Sequence, residues 1–234
     1  MTERPVVFSA SSVTSYQMCH LQWWFTYVLA EPAEESEPQR VGIKLHDFAE
    51  RSLRTLGTRY KTDDPEIEAL AKVWNNDILP TYRWPVLIEA EFQLEVNDIP
   101  YSGILDAVDE HDMPWGEALI LRDLKSTGSR PSPGKYRFAM TGYKMGAEDL
   151  LGRKIDAAQL DWVVRTKHPY YWPEALEPIT DDDINVFAAT LETVAEGVAR
   201  ADFEPTGLGT WACKACGYKA ACGPYQRLEE STRD

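Results

Sequence analysis

Hydrophobic positions along this chain recur with two different periods, and the change from one to the other divides it. Over residues 13–29, Tyr16, Trp23, Trp24, Tyr27 and Val28 give a broad apolar face at helical spacing, with Ser11 or Ser12 placed to cap it. The acidic, proline-containing stretch 31–38 reads as an exposed loop. Residues 41–56 repeat the helical period through Leu45, Phe48, Ala49, Leu53 and Leu56, and 66–76 predicts a third helix. The period then shortens. Residues 86–96 alternate as a strand does, Asn97-Asp98 supplies a turn, and 101–108 reads as the hairpin partner. Residues 117–124 predict a third strand, 128–134 a loop, 136–151 a helix and 159–165 a short apolar strand. Thr180 and the acids at 181–183 suit the start of a last helix running to Arg200. The order is helices, then β-β-β-α-β, then a helix, which predicts an α/β protein with a mixed central sheet flanked by helices.

Length and composition narrow this picture. With 234 residues and 44% hydrophobic content, the chain can bury one sizeable core with a helical accessory part. No apolar run approaches the ~20 residues that span a bilayer, and the start lacks the basic and apolar regions of a signal peptide. A reducing cytoplasm and no membrane association are therefore expected, and there four cysteines point away from disulfides. The formal charge of −14 opposes indiscriminate binding to polyanions. Locally the sign reverses: between Arg122 and Ala147 six basic residues (Arg122, Lys125, Arg130, Lys135, Arg137, Lys144) face one acid, Asp123. That segment is the expected attraction for phosphate.

The cysteines are unevenly placed. Cys19 stands alone, while Cys213, Cys216 and Cys222 form a C-x2-C-x5-C run. Such spacing lets thiolates converge on one centre, and a fourth from the far end would close the chain like a clasp. Zinc and an iron–sulfur cluster both accept four thiolates, although zinc sites usually gather two local pairs.

Two acids fall where chemistry could use them. Asp106 lies within the second strand, and Asp123 ends the third, two residues before Lys125. Alternation puts Asp123 and Lys125 on one face. Two carboxylates and the carbonyl of Leu124 would make an oxygen-rich pocket for Mg²⁺ or Mn²⁺, and an adjacent ammonium could orient water and offset charge on a phosphoryl group. The bland alternative is a solvated Asp–Lys pair at a strand end. Glu89 and Glu91 read as ordinary strand-face charges, His46 by itself as a packed or exposed helix residue, and most tryptophans as core.

Five segments together resemble the PD-(D/E)xK nucleases, specifically the RecB-like branch that includes the CRISPR-associated iron–sulfur exonucleases and the AddB-type nuclease domain. Ser-x-x-x-x-Tyr-x-x-Cys within residues 9–27 is similar to the helix carrying that family's first cluster cysteine, and Gly42-Ile43-Lys44-Leu45-His46 to its Gly-x-x-x-His helix. Gly103-Ile104-Leu105-Asp106-Ala107-Val108-Asp109 resembles the Gly-x-Ile-Asp-x-x-Asp strand, and Asp123-Leu124-Lys125-Ser126-Thr127-Gly128 resembles Asp-x-Lys-Thr-Gly. Cys213, Cys216 and Cys222 match the remaining cluster ligands, and Tyr143 fits Gln-x-x-x-Tyr with Ala139 in place of the glutamine. The resemblance implies a restriction-endonuclease-like fold over one domain: a helical part (1–84), a nuclease core (85–200) and a cysteine region (201–234).

By the same resemblance, His46, Asp106, Asp123 and Leu124 would hold Mg²⁺ or Mn²⁺, Lys125 and Tyr143 would complete the catalytic set, and the four cysteines would carry a 4Fe–4S cluster. The implied activity is exonucleolytic cleavage of DNA at ends or on single strands. The implied partners are a helicase, recombination or CRISPR adaptation protein, since no Walker motif for ATP-driven unwinding occurs. The rival is a non-catalytic DNA-end-binding or assembly module on the same scaffold.

Overall fold

The structure, a computed structural model, describes residues 6–33, 35–55, 58–114, 116–129 and 133–231. The chain forms two compact units, Glu37–Leu94 with Ser102–Phe187, and Met1–Ser36 with Glu95–Tyr101 and Ala188–Asp234.

The larger unit is organised by a five-stranded sheet of β1 (Trp84–Val96), β2 (Ile99–Met113), β3 (Gly116–Thr127), β4 (Ala157–Val164) and β5 (Tyr170–Ala175), in that spatial order. β3 runs antiparallel to β2 and parallel to β4, and β5 returns antiparallel to β4. This mixed sheet flanked by helices is the restriction-endonuclease-like α/β architecture that the sequence predicts. Asn97 and Asp98 take φ of +50° and +63°, the left-handed pair that a two-residue hairpin turn requires.

Helix α3 (Glu37–Arg54) begins four residues before the expected start, because Pro38 in a first turn needs no N–H partner. Its expected last residue, 56, lies outside the described residues. Its buried face, from Val41 through Leu45 and Phe48 to Leu53, packs with Leu70, Trp74, Ile78, Ala107, Leu124 and Val163. Helix α4 (Glu68–Val73) passes into a π-helical turn (Trp74–Ile78) and a 3₁₀ turn (Leu79–Thr81), so the helical run continues past the expected end at 76 in wider and tighter turns than the α-helix. Helix α5 (Arg137–Leu151) connects β3 to β4 and ends on Gly152 at φ +61°, a left-handed cap. A Cβ at either Gly103 or Gly146 would collide with the ring of Phe92, so β2 and α5 approach β1 only as glycine backbone.

In the smaller unit the single helix expected over 13–29 is two, α1 (Ala10–Met18) and α2 (His20–Tyr27). Between them Cys19 is extended, with φ −163° and ψ 116°, ending one helix and opening the next. The first cap is Ser9, in a reciprocal capping box with Ser12, rather than Ser11 or Ser12. Trp23, 1% exposed, stacks on Phe203, and the Tyr16 hydroxyl donates to the Asp202 carbonyl at 2.9 Å. Helix α6 (Asp181–Ala199) starts on its three acids within the larger unit, as expected, and its residues from Ala188 belong to the smaller one, where α7 (Trp211–Ala215) and α8 (Gly223–Ser231) flank the last cysteines.

Candidate active site

The antiparallel ladder of β2 and β3 runs from Ala107–Arg122 to Met113–Gly116, and the acids of interest stand just beyond its Ala107–Arg122 end. There the Leu124 N–H donates to Asp106 Oδ2 at 2.6 Å. The carboxylate thus takes a main-chain donor and ties Asp106 to the strand bearing Asp123. Across β3, Lys125 Nζ donates to Asp123 Oδ1 at 2.6 Å and approaches the Leu124 carbonyl at 3.4 Å. Asp123 Oδ2 is buried without a hydrogen-bond partner. Asp106, Asp123 and Lys125 therefore meet on adjoining strands, with Lys125 holding one oxygen of Asp123.

His46 reaches this group from α3. Its Nδ1 lies 3.5 Å from Asp106 Oδ1 and 3.6 Å from Glu89 Oε1. One ligand atom from each of His46, Glu89 and Asp106 can be chosen so that all lie within 4.8 Å of one another. These residues line a cavity of about 10 Å³, about the size of one water or a bare ion, closed by Leu53, Trp74, Tyr82 and Leu124. Glu89 is not the face charge that alternation implies. Its φ of +42° places a left-handed residue within β1, which breaks the alternation and re-aims the side chain, as a bulge does. Glu91, two residues on, is exposed as expected.

The electrostatics follow from burial and proximity. Burial is the main influence on Asp123 and, with Asp106 nearby, pushes its carboxyl up to about 6 against the opposing pull of Lys125. Burial would also raise Asp106, but His46, Lys125 and the Leu124 N–H bring it below the usual carboxylate range. For His46 burial disfavours the charge, yet Asp106 and Glu89 outweigh it and raise the imidazole to about 10. Lys125 is likewise opposed by burial and made more basic by Asp123 and Asp106, so its amine acts as a charged donor. Burial, then Asp123, lifts the Tyr143 hydroxyl to about 12, and its ring meets Phe92 edge-on at 6.3 Å. Oxygen-rich with one imidazole, the pocket has the donor chemistry for Mg²⁺ or Mn²⁺.

The structure departs from the expected basic surface at 122–147. Arg122 is buried, bonded to Asp161 at 2.8 Å and stacked over Tyr82. Arg137 pairs with Asp183, Lys144 with Glu148 and Lys125 with Asp123. Arg130 lies outside the described residues, and Lys135 stands over the ring of Tyr136. Formal charge in sequence misleads here because most of these cations are already paired. Asp109, the last residue of the Gly-x-Ile-Asp-x-x-Asp segment, accepts the N–H groups of Arg83 and Trp84 and bonds His111 at 2.7 Å.

Within the smaller unit Cys19, Cys213, Cys216 and Cys222 line one cavity with Phe25, Tyr218 and Tyr225 among its walls. Burial, then the proximity of the other three cysteines, raises the Cys216 thiol, although the Tyr218 N–H donates to its Sγ at 3.4 Å. Four thiol side chains thus line one cavity, with an N–H directed at one sulfur, and their donor chemistry suits a thiolate-bound metal, but among the described residues only His46, Glu89 and Asp106 bring three ligand atoms within 4.8 Å of one another.

The model of the PD-(D/E)XK nuclease superfamily matches residues 7–223. The chain belongs to this superfamily, whose members use divalent metals. Two solved structures share the fold. One, described as an inferred exonuclease from Eubacterium rectale, has a TM-score of 0.60 at 13% identity, covering 85% of this chain and 83% of that one. The other, the protein SSO0001, has a TM-score of 0.51 at 13% identity, covering 96% and 90%. No curated protein matches. Among the described residues no helix is long and apolar enough to cross a membrane.

Proposed function

We propose that this protein is a metal-dependent deoxyribonuclease of the RecB-like branch, acting as an exonuclease on DNA ends or single strands. One observation carries the reading: Asp106, Asp123 and Lys125 converge on β2 and β3 with His46 and Glu89 beside them. Asp106, His46 and Glu89, with Asp123 and the Leu124 carbonyl, would hold Mg²⁺ or Mn²⁺, which supplies Lewis-acid stabilisation of the phosphoryl oxygens. Lys125 donates toward the attacking water or a non-bridging oxygen, and Tyr143 positions Lys125 and Asp123 from α5. The whole chain works as one nuclease domain, in the cytoplasm, in DNA recombination, repair or processing beside a helicase, recombination or CRISPR adaptation protein.

The four cysteines suit a structural 4Fe–4S cluster, because the donors are all thiol sulfurs drawn from two distant segments. Iron and acid-labile sulfide after anaerobic purification are expected; stoichiometric zinc without iron overturns the cluster. The activity is tested with end-labelled single-stranded DNA in Mn²⁺, comparing wild type with Asp106→Ala and Lys125→Ala. Cleavage by wild type alone supports the enzyme. Binding without cleavage in any divalent metal supports the end-binding module instead.

A further inference from the structure

A cleft of about 820 Å³ opens beside the metal pocket, and Leu53 and Tyr82 line both. Its remaining walls include Arg54, Arg59, Arg83 and Trp84, and no carboxylate is among its described lining residues. For a chain of charge −14 this is an unusual concentration of guanidinium groups. Arg54 is partly committed, donating to Glu50 at 2.7 Å and to the Ile88 carbonyl at 2.9 Å. Arg83 touches only the Pro80 carbonyl, at 3.4 Å, and neither it nor Arg59 has an acid partner among the described residues. Both side chains are exposed. Trp84 is 67% exposed, an arrangement a core tryptophan never has.

The backbone beneath these two rim residues is held firmly. Asp109 accepts the Arg83 N–H at 3.0 Å and the Trp84 N–H at 2.8 Å. It is fully buried, bonded to His111, and lies 3.7 Å from Arg122. An exposed indole on an immobilised strand end, beside unpaired guanidinium groups, combines the two features that single-stranded nucleic acid requires: a stacking face and a phosphate track.

We propose that this cleft binds the single strand of DNA adjoining the cleaved phosphodiester, with Arg59 and Arg83 on phosphates and Trp84 stacked on a base. The assignment of the ligand rests on the nuclease reading; the cleft and its charges do not.

The test measures binding of a fluorescent oligothymidylate by anisotropy in EDTA over a range of salt concentrations. Arg59→Ala/Arg83→Ala should reduce the slope of log affinity against log salt by about 1.4, at roughly 0.7 per lost phosphate contact on a single strand. Arg59→Lys/Arg83→Lys should restore the slope, which a merely unfolded alanine variant could not imitate. Trp84→Ala should weaken binding by about tenfold or more without changing the slope, and Trp84→Phe should recover most of it. Wild-type slope and affinity in both alanine variants, or no binding by wild type, overturns the cleft. Mn²⁺-dependent hydrolysis of bis(p-nitrophenyl) phosphate by wild type examines the nuclease reading separately. Hydrolysis with unaltered oligothymidylate binding in the variants rejects the cleft alone, and altered binding without hydrolysis of any diester rejects only the nuclease.

Discussion

The carboxylate pocket and the cysteine cavity are assembled from different materials. The pocket draws on three strands and a helix, and its charged groups hold one another: the Leu124 N–H on Asp106, Lys125 on Asp123, and His46 between Asp106 and Glu89. The cysteine cavity is built from helix ends, with Cys19 in the break between α1 and α2 and Cys216 at the end of α7. A sheet-built site keeps its geometry through backbone pairing, whereas thiols on short helices depend on what they bind. On the proposed reading the first should therefore tolerate loss of its ion without unfolding, and the second should not tolerate loss of a bound cluster.

The strongest way to break this contrast is at the pocket. Asp106→Ala should lower Mn²⁺-dependent cleavage on the order of a thousandfold while iron content stays at the wild-type level; an equal fall in both would mean the two centres are not separate. Next, Cys216→Ser should abolish visible absorption and destabilise the helical unit by several kcal/mol, read as lost hydrogen-exchange protection in α1, α2 and α8. Unchanged protection there would remove the structural role from the cysteines. Third, Arg122→Ala leaves Asp161 and Asp109 with a partner missing in a buried setting and should cost about 3–5 kcal/mol in chemical denaturation. A smaller loss would show that water fills the gap.

The subtlest effect is on protons. His46 is raised to about 10, so at neutral pH an incoming ion must displace a proton from it. Mn²⁺ affinity should therefore rise about tenfold per pH unit between about pH 7 and 9 and level off above His46's own value. For the protein without ion the sign is opposite. A folded-state value above the 6.5 of a free imidazole contributes stability that is complete below about 6.5 and is lost as pH rises through about 10. Calorimetry in buffers of differing ionisation enthalpy would count the released protons, and none released would contradict the basicity of His46.

Much of this is legible in the sequence. Alternation located β1 with β2 as its hairpin partner, apolar runs located β3 and β4, which are buried along most of their length, and motif order brought Asp106, Asp123, Lys125 and His46 together. β5 escaped because Tyr170–Ala175 is a short, largely exposed edge strand containing Pro173, a residue such edges accept. The interruption at Cys19 escaped because helical periodicity continues across it, and one extended residue leaves no trace in that period. Glu89 escaped for a related reason: strand alternation assumes negative φ throughout. The basic stretch at 122–147 misled because pairing with Asp161, Asp183 and Glu148 arises only in three dimensions.

Glu89 also sets a conflict between sturdiness and use. A non-glycine side chain at φ +42° carries backbone strain of about 1 kcal/mol or more, which glycine would relieve. Laboratory evolution that rewards heat resistance alone should therefore drift toward glycine at position 89. Such descendants would melt later and grip divalent ions less well.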